Sequence, residues 1–261
     1  GLTWSVVESV PISDRIKLGL EGRDEDIDHY CQTIRNLGAA GIPIMCWNWM
    51  AVFGWIRTSM TTRTRGDALS SSYDHALMEN APLTEHGEVG EERLWESLEY
   101  FLKRVIPVAE EAGVKQGLHP DDPPLSPIRG IARIVTSIEN YDRILDLVPS
   151  EANGLTFCQG NFKAMDTDIP AAIRHFGDRI HFAHFRDLKG TVPAFEETFH
   201  DAGETDMTAC IRAYNDIGFD GPIRPDHVPV LAGEANDTPG YTLMARLYAI
   251  GYMKGLLDGV A

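Results

Sequence analysis

Two rhythms of apolar residues alternate along this chain. Short runs rich in β-branched and aromatic residues, bounded by glycine or proline, predict strands over residues 2–9, 42–48, 114–119, 154–160, 180–187 and 221–227. Between them, apolar residues three and four apart predict helices over 23–40, 91–112, 131–147, 169–176, 207–217 and 239–257. Ile27, Cys31, Ile34 and Leu37 share one face of the first helix; Leu94, Leu98, Phe101, Leu102, Val105 and Val108 form the stripe of the second. Residues 49–90 and 188–205 carry neither rhythm and read as irregular loops.

Strand and helix alternating in this way predict a parallel α/β sheet with right-handed helical crossovers. A closed (β/α)8 TIM barrel needs eight strands, and six are recognisable. A doubly wound open sheet would accept six, but no strand is followed by the glycine-rich phosphate turn of that fold.

The strand ends carry the chemistry. His119, Cys158, His184 with Arg186, and Asp226 with His227 each stand where a strand stops, the end at which barrel enzymes build their sites. A lone strand histidine such as His181 reads as a hydrogen-bonded core residue; four ligand-type residues on four strand ends read as one metal centre. Two histidines, a cysteine and an aspartate suit Zn, Fe(II) or Mn(II), and do not choose among them. Side-chain parity puts His184 with Arg186, and Arg224 with Asp226, on shared faces, so Asp226 can bind a cation while His227 reaches over a substrate.

Composition narrows the partners. The 261 residues are 43% hydrophobic, enough for a full core, and the formal net charge of −16 argues against nucleic acid or an anionic membrane surface. No apolar run approaches the roughly 20 residues that cross a bilayer, and no signal peptide is visible, so a cytoplasmic protein is expected. The cysteines, at 31, 46, 158 and 210, form no CxxC pair; Cys31, Cys46 and Cys210 read as small buried apolar residues. The arginines of the first loop (Arg57, Arg63, Arg65) read as a solvated face, or alternatively as a lid carrying positive charge to an anionic ligand.

The segments Leu2-Thr3-Trp4-Ser5-Val6-Val7-Glu8-Ser9-Val10-Pro11, His119-Pro120-Asp121-Asp122-Pro123-Pro124, His184-Phe185-Arg186 and Arg224-Pro225-Asp226-His227 resemble the mannonate dehydratases of hexuronate catabolism. The resemblance runs over nearly the whole chain. It implies a single xylose-isomerase-like TIM-barrel domain over residues 1–261, and a hydro-lyase that converts D-mannonate to 2-keto-3-deoxy-D-gluconate. It also implies a divalent metal, Mn(II) or Fe(II), and a homodimer. Members of the family carry two more βα units before the segment matching residues 2–11, so an N-terminally truncated barrel is expected; residues 79–90 correspond to a short version of a family insertion. By motif, the metal ligands fall on His119, Cys158, His184 and Asp226, and the catalytic pair on His227 and Tyr241. Arg186 is then expected to hold the substrate carboxylate, with Asn48, His200 and Arg57 as further substrate-binding candidates. Two alternatives stand beside this reading: another divalent-metal sugar isomerase or epimerase on the same barrel, against which the cysteine ligand argues, and an inactive metal-binding fragment.

Overall fold

A computed structural model describes residues 1–260. In chain order the elements are β1 (Val6–Val7), α1 (Asp14–Lys17), α2 (Arg23–Ala39), β2 (Ile44–Asn48), β3 (Ser59–Arg63), β4 (Leu69–Asp74), α3 (Glu91–Ala112), β5 (Lys115–His119), α4 (Ile138–Leu147), β6 (Asn153–Cys158), α5 (Gln159–Ala164), α6 (Ile169–Phe176), β7 (Ile180–Phe185), β8 (Leu188–Thr191), β9 (Ala194–Glu197), α7 (Met207–Asp216), β10 (Ile223–Pro225) and α8 (Leu243–Val260). The parallel strands hydrogen-bond in the order β1-β2-β5-β6-β7-β10, and these are the six strands the pattern predicts. The chain folds into two compact units. The first is Gly1–Gly54, Pro82–Thr156 and Arg179–Phe182; the second is Trp55–Ala81, Phe157–Asp178 and the chain from Ala183 onward.

In the first unit, α2 and α3 lay their apolar stripes inward. Ile27, Ile34, Leu94, Leu98, Phe101, Leu102 and Val105 are buried, and Phe101 gathers the rings of Tyr30, Trp47 and Trp49 with centroids 5.1–5.5 Å away. Leu37 and Val108, expected on the same stripes, are only half-buried. At Gly38 a Cβ would stand 2.4 Å from the Ala112 carbonyl oxygen, so glycine is what lets the two helices approach this closely. In-register pairing of β2 with β5 sets Asn48 opposite His119 at the strand ends.

Two expectations fail here. Residues 131–137 are not helical: the Asp121 amide donates to the Val135 carbonyl at 3.0 Å, the Asp121 carboxylate accepts from the Val135 amide at 2.8 Å, and Ile131 bridges to Val89 and Ile128. Ile131, Ile134, Val135 and Thr136 are β-branched and take extended pairing readily, and the helix starts only where the Ser137 hydroxyl caps it. The strand predicted over residues 2–9 is confined to Val6–Val7, and Leu2 and Trp4 are exposed.

The second unit contains a feature the pattern misses. The two presumed loops hold β3-β4 and β8-β9, which join as an antiparallel sheet in the order β3-β4-β9-β8, with Tyr73 opposite Phe195. The strand expected over 154–160 ends at Cys158, since α5 begins at Gln159. The last helix begins at Leu243 rather than at Pro239. Gly240 has φ +84 and its carbonyl accepts from the Val228 amide at 2.9 Å, so the preceding turn is spent on a bridge to the segment after β10. Among the described residues no helix is long and apolar enough to cross a membrane.

Candidate active site

Three of the four predicted ligands converge inside the second unit. Cys158 closes β6, His184 lies near the end of β7, and Asp226 follows β10, its amide continuing the ladder to the Phe185 carbonyl at 3.1 Å. Each offers a donor atom, and these atoms lie within 4.8 Å of one another; all three residues are 3% exposed or less. The Asp226 carboxylate is 3.6 Å from Cys158 Sγ and 3.7 Å from His184 Nδ1. Burial pulls the His184 imidazole down, yet the adjacent Asp226 carboxylate outweighs it and lifts the pKa to about 9. Burial opposes the charge on Asp226, and His227 and His184 beside it hold its pKa well below the carboxylate range. A thiol, an imidazole and a carboxylate at this separation, shielded from water, match the requirements of a transition-metal site.

His119, the fourth predicted ligand, closes β5 in the first unit. It is half-buried and its Nδ1 donates to the Pro120 carbonyl at 2.7 Å, which leaves Nε2 as the ring's acceptor. Asn48 is half-buried, and its Oδ1 accepts from the Met50 amide at 3.3 Å.

Arg186 has a different place from the one expected. It is 1% exposed; its guanidinium donates to Asn161 Oδ1 at 2.8 Å and to both Glu197 oxygens, and stands 3.4 Å from Cys158 Sγ and 3.5 Å from Asp226. Parity had aimed it correctly, but at protein acceptors beside the ligand cluster. Arg57 is also no part of a solvated face: its side chain is buried between the rings of Trp55 and Phe195 and donates to Glu197 at 2.6 Å. Arg63 and Arg65 are exposed and paired with Asp67 and Asp201, so the arginines of that segment are matched by acids rather than gathered as a positive lid. His200, expected to meet substrate hydroxyls, is 1% exposed and donates through Nε2 to the Phe185 carbonyl at 2.6 Å; burial lowers its pKa to about 4.

Glu197 is the residue that sequence reading missed. It is 3% exposed and receives Arg57, Arg186 and His227. Burial alone would raise its pKa, but Arg186, His227 and Arg57 together hold it far below the carboxylate range. One signal was present: Phe195 and Glu197 share the inward face of β9, an acid on an apolar face. His227 sits at the centre, with Nδ1 2.9 Å from Glu197 and Nε2 2.9 Å from the Tyr241 hydroxyl. Trp55 packs against His227 at 4.9 Å between centroids.

The sequence profile of the D-mannonate dehydratase family (UxuA) matches residues 1–261. The chain belongs to the D-mannonate dehydratase family. Mannonate dehydratase 2 of Halalkalibacterium halodurans is 40% identical to it over 291 residues, spanning all of this chain and 84% of that protein. The crystal structure of mannonate dehydratase from Streptococcus suis serotype2 superimposes with a TM-score of 0.94 at 37% identity, over all of this chain and 78% of that one. The IOLI protein, solved with a binding zinc atom, is 15% identical with a TM-score of 0.59, over 98% of this chain and 77% of that one; this likeness shows the fold alone. The fold is therefore the xylose-isomerase-like TIM barrel that the motifs imply.

Proposed function

We propose that this chain removes water from D-mannonate, giving 2-keto-3-deoxy-D-gluconate, at a divalent-metal centre held by His119, Cys158, His184 and Asp226, with His227 and Tyr241 as the proton-transfer pair. Membership of the family supports the reaction. The observation that carries the site is the convergence of Cys158, His184 and Asp226 within 4.8 Å, beside an imidazole hydrogen-bonded to a tyrosine hydroxyl. The softer thiolate and harder carboxylate accept several cations, and the resemblance of the motifs favours Mn(II) or Fe(II). The acidic chain goes with a small-molecule substrate, and a cytoplasmic homodimer is the assembly that accompanies this reading.

The C2 hydrogen of a sugar acid is weakly acidic and the C3 hydroxyl is a poor leaving group. A bound divalent cation would serve as a Lewis acid, stabilising the negative charge that develops on substrate oxygens. This chain's own groups then move protons. One member of the His227–Tyr241 pair accepts the C2 proton; the other donates a proton to the departing C3 oxygen, which leaves as water with the C3–O electron pair. The C2–H electrons form the C2–C3 double bond, and the resulting enol becomes the 2-keto acid. Arg186, which the sequence assigned to the substrate carboxylate, instead steadies Cys158, Asp226 and Glu197. Trp55, against His227, excludes water from one side of the ring.

The test is metal analysis of the purified protein together with turnover on a panel of sugar acids, with and without added Mn(II), using a thiobarbiturate-type assay for the 2-keto-3-deoxy product. Metal-loaded protein that leaves mannonate untouched, or that gives a ketose, would overturn the reading.

A further inference from the structure

The small antiparallel sheet brings Glu197, through β9, against the ring of His227, and the hydrogen bonds there leave little freedom of assignment. Glu197 receives Arg57 Nη2 at 2.6 Å, Arg186 Nε at 2.9 Å and Arg186 Nη2. A carboxylate between two guanidinium groups is ionised, and an ionised carboxylate only accepts. The His227 nitrogen 2.9 Å from it, Nδ1, must therefore be the N–H donor. In a neutral imidazole the other nitrogen is then a bare acceptor. That nitrogen, Nε2, lies 2.9 Å from Tyr241 Oη, so the hydroxyl proton points from Tyr241 to His227.

We propose that Glu197 is a positioning residue that locks His227 as its Nδ1–H tautomer and so leaves the mobile proton of the His227–Tyr241 pair on the tyrosine. This rests on the reading of His227 and Tyr241 as the proton-transfer pair, and it gives each a role. His227 Nε2 holds the lone pair that takes the C2 proton, and Tyr241 holds the proton that the C3 oxygen needs to leave as water. After one turnover the ring carries the extra proton and the tyrosine lacks one; transfer across the same 2.9 Å contact restores both. The ring's orientation is fixed from other sides as well. Trp55 packs on it at 4.9 Å between centroids, and a Cβ at Gly240 would meet His227 Cδ2 at 3.3 Å, so the turn that delivers Tyr241 fits closely around the imidazole. The β8-β9 hairpin is thereby a working part of the site, because it delivers the carboxylate to the imidazole.

The decisive measurement reads the ring nitrogens directly. Full-length protein labelled with 15N-histidine and loaded with zinc, a diamagnetic ion, gives separate Nδ1 and Nε2 resonances, and the His227 pair is assigned by its disappearance in His227→Gln. The expected result is a protonated Nδ1 and a bare Nε2 in the unsubstituted protein. In Glu197→Gln the tautomer becomes mixed or reversed, and kcat falls on the order of 10²-fold or more with KM little changed, the signature of a misoriented catalytic imidazole. A carboxylate that served only to neutralise the two arginines would leave the tautomer alone. An Nε2–H tautomer in the unsubstituted protein overturns the proposal, as does an unaltered tautomer or an unaltered kcat in Glu197→Gln. If Glu197→Gln does not fold, the unsubstituted spectrum still decides. Turnover of His227→Asn tests the catalytic pair separately, so loss of that reading is distinguishable from loss of this one.

Discussion

Gly160 lies directly beneath the Arg186 side chain: a Cβ at this position would stand 2.7 Å from Arg186 Cγ, Cδ and Nε. The arginine cannot swing away, because its guanidinium is fixed by Asn161 and Glu197. Gly160→Ala sets two effects against each other. Alanine favours the α5 helix by about 1 kcal/mol, and overpacking a rigid interior costs about 1–3 kcal/mol. The clash outweighs the propensity, so thermal melts are expected to show net destabilisation, accompanied by weaker metal retention as Arg186 shifts from Cys158.

The ligand cluster makes its own prediction. Asp226→Asn and Cys158→Ser keep side-chain volume but replace an ionisable donor. Each is expected to weaken divalent-metal binding by at least about 10–100-fold, the range found when even supporting groups of metal sites are changed. Competition titration against a chelator reads this without any turnover. Unchanged affinity in both variants would remove these residues from the site.

Tyr241→Phe removes only the hydroxyl bonded to His227 and keeps the ring that packs edge-on against it at 5.2 Å. Tyr241 is itself 37% exposed, but His227, 4% exposed, loses the partner of its Nε2. A small drop in melting temperature is therefore expected, while kcat falls by roughly 10²–10⁴-fold, as for removal of a general acid or base. Near-normal kcat would release Tyr241 from the mechanism.

Two buried histidines set the acid limit of stability. His181 and His200 are 3% and 1% exposed, and burial lowers each pKa from 6.5 to about 4. As pH falls from 6.5 toward 4, the unfolded chain binds protons on these rings that the folded protein refuses. Stability therefore declines across that window, by at most about 3 kcal/mol per histidine. Urea unfolding at a series of pH values measures the slope. His181→Asn and His200→Gln, which keep the N–H donors to the carbonyls of Gln116 and Phe185, are expected to flatten it.

The parallel strands, most of the helices and the identities of the chemistry-bearing residues at the strand ends were legible in the amino-acid pattern. Those features are local: β-branched runs, three- and four-residue spacing, and glycines and prolines that stop each run. The fold of residues 49–90 and 188–205 was not legible there, because β4 finds its partner β9 some 120 residues further along the chain and the serine-rich β4 carries almost no apolar alternation. With that pairing came Glu197, the new places of Arg57 and Arg186, and the orientation of His227. A side chain's charge is written in the sequence; whether it meets substrate, metal or another side chain depends on which distant backbone stands opposite, and here two arginines that read as substrate-binding are both turned toward one buried glutamate.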